Sequence, residues 1–506
     1  MTRGARTIRR VGVAVTTAAL LGLAACSSGA GSGARATTST TPSRAVSGAG
    51  VAAPTVTGPV TGGAHDSPFN PMPKRLADQY GYEEHEYFIA GTATGYQPTG
   101  TWAADGEWSA TPGGPSATYQ TRILVRRPVD AVRFDGVVVV EWLNVTSGMD
   151  SDPDFGFAGE QLMSEGATWV GVSTQSVGVN GGAKIPIPGF DAKALKEWDP
   201  QRYGTLVHPG DDYAFDIFSQ AAQAIRRPSG VDPLDGLKAT TVIATGESQS
   251  AINMVTYVDA IQPIAQIYDG FMIHSRGGSA GGINTASPGT VPKIVHIRDD
   301  LAVPVMQFET ETDLFGLGFE PARQPDTPRL VTWEVAGTAH ADQSTLDYGF
   351  ESGRQIDPDT KLDFSQQCGT INNGPQRAVA RQAFSSLIGW AQGGPPPAPS
   401  PLIQTADGAI VRDATGNALG GIRTPPVDVP ISTLSGEPTP GSSVICSLFG
   451  STTPFTSTQL ATAYPTHDDY VAGVQKSADA AVAAGHLLEV DRDAFVAQAQ
   501  AAGVPS

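Results

Sequence analysis

A serine lies between a hydrophobic strand pattern and a helix pattern within residues 239–254. The string around it, Gly246-Glu247-Ser248-Gln249-Ser250, is a variant of G-x-S-x-G with serine in the last position. Between a strand and a helix, this string places the serine hydroxyl on a sharp turn at the sheet edge. The turn is tight, so the residues two before and two after the serine must be small, as Gly246 and Ser250 are. Ser248 is therefore the candidate nucleophile.

The backbone near Ser248 indicates where negative charge on a substrate would be stabilised. The N–H of Gln249 would begin the following helix and point from its positive end towards a developing oxyanion. A second donor is expected from the loop after an earlier strand, 136–142, where the backbone N–H groups of Leu143 and Asn144 are the candidates. We predict an oxyanion hole from Gln249 and Asn144, with Leu143 as the alternative second donor.

A serine hydroxyl is not ionised near neutral pH, so Ser248 needs a base. Chain order in this type of site is serine, acid, histidine. Among the eight histidines, only His340 follows a late strand pattern and lies in a loop of small residues, GTAHAD. The others precede the serine, precede the expected acid, or lie in the C-terminal helical region: His65, His85, His208, His274, His296, His467 and His486. We predict that His340 is the base.

The acid should follow the strand before His340, where residues 304–313 read PVMQFETETD. Asp313 lies nine residues after Pro304, the spacing that many α/β-hydrolases have between this proline and the acid, although Thr310 replaces the usual glycine. Glu309 and Glu311 lie on the same stretch, and Glu311 is the rival. The acid would orient His340 through its Nδ1–H and stabilise the imidazolium. Asp313 is the favoured acid, and Glu311 stays open.

The elements that must position these residues alternate between strands and helices along the chain. Strand patterns occur at 82–92, 119–126, 136–142, 167–173, 239–244, 267–274, 304–308 and 331–336. Helix patterns occur at 157–166, 212–226, 249–261, 376–390, 468–485 and 491–502. The β-branched run at 136–142 is typical of a strand buried on both faces of a parallel sheet. The fold class predicted is α/β, a mainly parallel central sheet flanked by helices. An insertion (175–210) and a C-terminal extension (400–506) complete this prediction.

The N-terminus has the pattern of an export signal. Residues 1–10 carry four arginines, 11–25 form an apolar run, and Leu23-Ala24-Ala25-Cys26 resembles the lipobox of bacterial lipoproteins. That pattern predicts a signal peptide (1–25), lipidation of Cys26 and a flexible Ser/Gly/Ala/Thr tether (26–54) before a globular domain (55–506). An ordinary signal peptide is the alternative, and export by the twin-arginine route is a further one. The predicted location is outside the cytoplasm, anchored by lipid or secreted.

The charge indicates which partners are expected, and the cysteines indicate a disulfide. The net charge is −18, with 32 basic and 50 acidic residues, and an acidic surface of this size disfavours nucleic acid. Membrane contact is expected only through the N-terminal lipid. The two remaining cysteines, Cys368 and Cys446, predict one disulfide in an oxidising compartment, with two buried free thiols as the alternative. The sequence contains no Cys/His cluster and no H-x-x-E-H pairing, so it predicts no metal site.

Longer strings connect these features to a known family. GESQSA around Ser248, WEVAGTAHAD around His340 and RDATGNALGGIRTP at 412–425 resemble exported bacterial proteins called alpha/beta hydrolase domain proteins, in the α/β-hydrolase superfamily. VDVPISTLSG (427–436) and LFGSTTPF (448–455) extend the resemblance over about residues 70–500. The resemblance implies an α/β-hydrolase fold and a Ser248–Asp313–His340 triad. It implies no particular substrate.

Together these features predict an exported serine hydrolase that cleaves small carboxylic esters through an acyl-enzyme and without a cofactor. An amidase or peptidase with the same triad is the nearest alternative. A binding lipoprotein that keeps the fold without catalysis is an alternative from another class, because fold alone does not determine function.

Overall fold

The computed structural model describes residues 47–186, 191–360, 364–438 and 443–505. The predicted signal peptide, Cys26 and most of the predicted tether lie outside these residues. Within the described ranges, no helix is long and apolar enough to cross a membrane.

One large sheet forms the centre of the fold. Its strands in chain order are β1 (Thr55–Thr57), β2 (Tyr82–Thr99), β3 (Ser109–Pro128), β4 (Val137–Trp142), β5 (Thr168–Val172), β6 (Ser229–Gly230), β7 (Thr241–Glu247), β8 (Gly270–His274), β9 (Val305–Thr310) and β10 (Leu330–Val335). The spatial order is β10-β9-β8-β7-β4-β5-β3-β2-β1-β6. The strands from β10 to β5 in this order pair in parallel, and β3 then joins β5 antiparallel. The sheet is therefore mainly parallel, as predicted.

Strand β4 shows why this sheet is buried on both faces. Successive side chains of a strand point to opposite faces. Val138 and Val140 pack into one hydrophobic core, and Val137 and Val139 pack into another on the opposite face. All four valines are 0% exposed.

Helices cover both faces. The longer ones are α2 (Pro153–Glu165), α6 (Ala214–Arg226), α7 (Gln249–Thr256), α10 (Gln343–Ile356), α12 (Gln376–Ala391), α15 (His467–Ala483) and α16 (Glu489–Ala501). The shorter ones are α1 (Lys74–Tyr80), α3 (Ser176–Asn180), α4 (Leu195–Trp198), α5 (Pro200–Tyr203), α8 (Gln262–Ala265), α9 (Glu311–Phe315), α11 (Ser365–Cys368), α13 (Pro425–Asp428) and α14 (Ser457–Ala463). Side chains of α6 and α7 belong to the first core, and those of α2 and α12 to the second.

Two hairpins lie outside the main sheet, β11–β12 (Thr405–Ala406, Ala409–Ile410) and β13–β14 (Ser432–Ser435, Ser451–Pro454). Both belong to the predicted C-terminal extension. The connection between β13 and β14 contacts the loop that carries His340, because Ala341 N–H donates to the Leu448 carbonyl (3.0 Å). Part of the connection between β13 and β14 borders the cleft described below.

A row of buried arginines on β3 holds the region between β4 and α2. Arg122 contacts Asp150 at 2.9 Å, and Arg126 pairs with Asp152 while lying 4.1 Å over the Phe155 ring. Buried charges need partners of this kind, because an isolated one costs several kcal/mol in an apolar interior. These pairs fix the loop that follows β4, and that loop faces the end of β7.

The site lies at the point in the sheet where the order of the strands reverses. The chain passes from β4 to β5 on one side, and later places β7 on the other side of β4. In open α/β sheets, a crevice for ligands forms at such a point, beyond the carboxyl ends of the strands. Ser248 follows the last residue of β7 directly.

Candidate active site

Ser248 occupies a strained turn between β7 and α7. Its backbone angles are φ 59° and ψ −120°, in the positive-φ region that residues other than glycine rarely adopt. Its N–H donates to the His274 carbonyl (2.9 Å), which ties the turn to β8. A Cβ atom on Gly246 would lie 3.1 Å from the main chain of Ser250, a closer contact than most Cβ atoms make, so glycine suits this position. The turn has the geometry of a nucleophile elbow.

The structure brings the three predicted triad residues together. Ser248 Oγ lies 2.7 Å from His340 Nε2, and His340 Nδ1 lies 2.7 Å from Asp313 Oδ1. His340 is 3% exposed and Asp313 is 0% exposed. Both distances are those of good hydrogen bonds, so the geometry allows a proton to pass from the serine to the imidazole while the carboxylate orients it.

Two threonines position the acid and the base. The second carboxylate oxygen of Asp313 accepts hydrogen bonds from Thr310 N–H and Oγ1, each at 2.7 Å. These bonds cap helix α9, which begins directly after β9. Thr312 Oγ1 accepts the His340 N–H (3.1 Å) and donates to the Gly436 carbonyl (2.6 Å). Sequence reasoning did not assign a role to either threonine.

Glu311, the rival acid, points elsewhere. Its carboxylate accepts the N–H groups of Gly337 (2.6 Å) and Gly436 (3.1 Å) and lies 2.9 Å from Arg412. Glu311 therefore joins the histidine loop to the C-terminal extension and does not contact the imidazole. Of the two carboxylates, the structure places Asp313 beside the imidazole.

Glu247 is the site residue that sequence reasoning missed. Its Oε1 lies 3.3 Å from His340 Nε2, and its Oε2 accepts a hydrogen bond from Asn144 Nδ2 (3.2 Å). The residue was visible in the string GESQS, but that position of the motif accepts any side chain. Only the turn geometry shows that its carboxylate reaches the imidazole.

Burial and neighbouring charges have opposite effects on the pKa values of His340 and Glu247. Burial favours the neutral imidazole, but the carboxylates of Glu247 and Asp313 outweigh it and raise the pKa of His340 to about 9. Burial raises the pKa of Glu247 to about 7, although the neighbouring His340 and His274 oppose that rise. The pKa of Glu247 therefore lies near neutral pH, and the pKa of His340 lies on the alkaline side.

A second histidine–carboxylate pair lies beneath the elbow. His274 Nδ1 is 2.7 Å from Asp154 Oδ1, and Asp154 also accepts from Thr245 Oγ1 on β7. Both side chains of the pair are 1% exposed, and the other ring nitrogen of His274 faces Gln376 (3.3 Å). This pair joins α2, β7 and β8 under Ser248.

The predicted oxyanion hole is only partly supported. Gln249 is the first residue of α7, so its N–H has no acceptor within the helix and remains a suitable donor. The prediction for Asn144 is wrong, because its N–H donates to the Ser151 carbonyl (2.9 Å). The alternative, Leu143 N–H, is engaged by the Val172 carbonyl (3.3 Å). The side chain of Asn144 instead holds Glu247.

A cleft of about 510 Å³ opens at Ser248 and His340. Its lining is mostly apolar and draws on the loop after β4, helix α10 and the C-terminal extension. The apolar members are Phe69, Met149, Phe157, Ile185, Trp198, Ala341, Leu346, Phe350, Ile356, Phe364, Ile445, Leu448 and Phe449. The volume is within the range of small-molecule sites, about 300–1,000 Å³.

Cys368 and Cys446 form a disulfide, the pairing that the sequence predicts, with their Cα atoms 5.1 Å apart. Each lies a few residues from aromatic side chains that border the cleft. In the part of the chain that the structure describes, no group of three or more His, Cys, Asp or Glu side chains has the arrangement needed to hold a metal ion.

The family model described as an alpha/beta hydrolase domain matches residues 56–497. The chain belongs to this family of α/β-hydrolase-fold proteins. The predicted resemblance and fold class of this α/β hydrolase are thereby confirmed.

Solved structures of low identity are also similar to this α/β hydrolase. Esterase Est22 is 14% identical over 64% of this chain and 84% of its own, with a TM-score of 0.31. XC6422 from Xanthomonas campestris, described as an α/β serine hydrolase without lid, is 17% identical over 48% and 92%, with a TM-score of 0.26. A Rhizomucor miehei esterase is 10% identical over 53% and 82%, with a TM-score of 0.25. The search of curated proteins finds no match.

Proposed function

We propose that this α/β hydrolase is a serine hydrolase that cleaves carboxylic esters through an acyl-enzyme. The observation that carries the proposal is the continuous contact from Ser248 Oγ through His340 to Asp313, both links at 2.7 Å. A carboxylate, an imidazole and a hydroxyl in this arrangement activate the hydroxyl for attack on a carbonyl carbon. The strained elbow exposes that hydroxyl at the base of the cleft.

The reaction would proceed in two halves. Ser248 Oγ bonds to the carbonyl carbon while its proton moves to His340 Nε2, and the oxyanion faces the Gln249 N–H. The bond to the alcohol oxygen then breaks, and His340 returns the proton to that oxygen. A water molecule, deprotonated by His340, attacks the acyl carbon, and the acid leaves as Ser248 regains its proton.

A fluorophosphonate probe and short p-nitrophenyl esters test this proposal. We expect the wild-type protein to be labelled and to hydrolyse the esters, and Ser248→Ala to lose both properties. Ser164→Ala, which changes an exposed serine on α2, is the matched control and should behave as wild type. Ester hydrolysis that persists in Ser248→Ala would disprove the proposal. Parallel assays with p-nitroanilides separate the amidase alternative, for which anilide turnover would equal or exceed ester turnover.

We also propose that the mature protein begins at Cys26 and is lipidated and exported, on the strength of the N-terminal sequence pattern. Expressed with its full N-terminus, the wild type should enter the detergent phase of a Triton X-114 partition. Cys26→Ala should remain unprocessed or enter the aqueous phase. A wild-type protein whose first residue is not Cys26 would refute this proposal.

A further inference from the structure

Ten of the apolar residues that line the cleft fall into two groups, which we call walls. The first wall consists of Phe69, Met149, Ile185 and Trp198. The second wall consists of Leu346, Phe350, Phe364, Ile445, Leu448 and Phe449. Neither wall belongs to the two cores of the central sheet, and several members are only half-buried. Half-buried large apolar side chains gathered around one opening are typical of a binding site.

The second wall is attached to the histidine loop. Ala341, next to His340, donates its N–H to the Leu448 carbonyl (3.0 Å). The Phe364 ring packs against Phe449, with 5.2 Å between ring centres. The disulfide joins the chain segments that supply Phe364 and Ile445. The second wall is therefore held in place on the side of the cleft where His340 lies.

The first wall is attached to the loop after β4. Ile185 donates its N–H to the Thr146 carbonyl (2.9 Å), two residues after Asn144. Asn144 in turn contacts the carbonyl of Glu247 (3.1 Å), beside the nucleophile. Phe69 and Trp198 pack edge to face at 5.1 Å and continue this wall outwards. The first wall is therefore connected, through the loop after β4, to the end of β7 that carries Ser248.

This arrangement distinguishes the two halves of an ester. The alcohol oxygen must take its proton from His340 Nε2, so the alcohol group leaves on the histidine side. The acyl group stays bonded to Ser248 and extends away from that side. The alcohol half would then meet the second wall and the acyl half the first wall.

The charges of the described lining residues disfavour an anionic substrate. The lining residues that the structure describes include Asp152, Asp191, Glu247 and Asp357, but Lys193 is their single lysine or arginine. Lys193 lies at the edge of the cleft, 4.0 Å from Asp191. A substrate carboxylate would therefore meet mainly other carboxylates along the described lining, and this repulsion is unfavourable.

We propose that the substrate is an uncharged ester with an apolar group in each half, whose alcohol half packs on the second wall and whose acyl half packs on the first wall. This inference rests on the proposed ester hydrolysis. Burying one further methylene should raise kcat/KM about fourfold until a wall is filled.

Two ester series test the assignment. One keeps the acetyl group and lengthens the alcohol from methyl to hexyl, and the other keeps the methyl alcohol and lengthens the acyl chain to hexanoyl. We expect kcat/KM to rise in both series in the wild type. Replacing the terminal methyl of the hexyl group with a carboxylate, which gives 6-acetoxyhexanoate, should abolish the gain in kcat/KM.

Wall variants should then separate the series. Leu448→Ala, or Phe350→Ala as an independent change in the same wall, should lower kcat/KM for hexyl acetate about tenfold and leave methyl hexanoate unchanged. Met149→Ala should do the reverse. Leu402→Ala removes a leucine that is 45% exposed and does not line the cleft, and should change neither ester.

The outcomes distinguish this inference from the proposed function. If Ser248-dependent hydrolysis of methyl acetate occurs but chain length has no effect, the inference fails and the serine hydrolase stands. If Leu448→Ala impairs the acyl series instead, or both series equally, the assignment of the walls is wrong. If hydrolysis does not depend on Ser248, both proposals fall.

Discussion

Glu247 Oε1 lies 3.3 Å from His340 Nε2, the nitrogen that also contacts the Ser248 hydroxyl. The imidazole thus has a carboxylate near each of its ring nitrogens, Asp313 at Nδ1 and Glu247 at Nε2. Two nearby negative charges favour imidazolium, the form that develops as the serine attacks. In the proposed mechanism the same charges favour the protonated base, so activity is expected to rise as the pH approaches the pKa of His340.

Glu247→Gln should therefore move the pH profile of kcat/KM. The base acts as neutral imidazole, so wild-type activity is lost as the pH falls through the pKa of His340, about 9. Removing one carboxylate lowers that pKa, and the loss should occur at lower pH. The plateau at high pH should fall about tenfold, the effect of one charge interaction of roughly 1.4 kcal/mol.

The profile is measured with a neutral p-nitrophenyl ester, using initial rates corrected for spontaneous hydrolysis. Glu197→Gln, a change at an exposed glutamate on α4, is the control and should match the wild type. Superimposable profiles for Glu247→Gln and wild type would show that the contact has no influence on the base.

The two carboxylates near the end of β9 should behave differently. Asp313→Asn should lower kcat by a factor on the order of 10³–10⁴ with little change in thermal stability, because the imidazole loses the group that orients it. Glu311→Gln should leave kcat within a few-fold but lower the free energy of unfolding by about 1–3 kcal/mol, because the buried bond to Arg412 is weakened. Kinetics and urea denaturation of both variants check this. A severe loss of kcat with intact stability in Glu311→Gln would contradict it.

The disulfide should be a major source of stability. It joins residues 78 positions apart, and closing a loop of that length reduces the entropy of the unfolded chain. The double variant Cys368→Ser/Cys446→Ser should lose about 4 kcal/mol of unfolding free energy. Urea denaturation with and without dithiothreitol is the measurement. The reductant should reduce wild-type stability to that of the variant and leave the variant unaffected; an unchanged wild type would contradict the pairing.

Gly246→Ala should damage the elbow. The added methyl group would lie 3.1 Å from the main chain of Ser250, so the turn must shift, at a cost of about 1–3 kcal/mol. Labelling by a fluorophosphonate should slow, because Ser248 Oγ moves relative to His340. Gly289→Ala, where the new methyl group meets open space, is the control. Equal labelling rates in the two variants would argue against a tight turn.

The local parts of this site were predictable and the long-range parts were not. Ser248 and His340 each follow a strand, and chain order is enough to select them, whereas the spacing that favoured Asp313 left Glu311 open. Glu247 carries no signal, because its role depends on the distance across the turn to His340.

Helix α10 was also missed. Its sequence QSTLDYGFESGRQI is polar with two glycines, although Asp342 caps it by accepting the Thr345 N–H (3.0 Å). The second wall was unpredictable for a related reason. It combines α10 with residues around 445–449, about a hundred positions further along the chain, and only tertiary packing and the disulfide bring these segments together.

The attachment of the second wall through segments that follow His340 has an evolutionary consequence. Ser248 and Asp313 are set by strands β7 and β9, whereas the second wall comes from chain that lies after the last strand of the sheet. Insertions, deletions and exchanges in that chain can reshape the cleft while the triad keeps its geometry. The chemistry of the enzyme and its choice of substrate can therefore diversify independently among descendants of one ancestor.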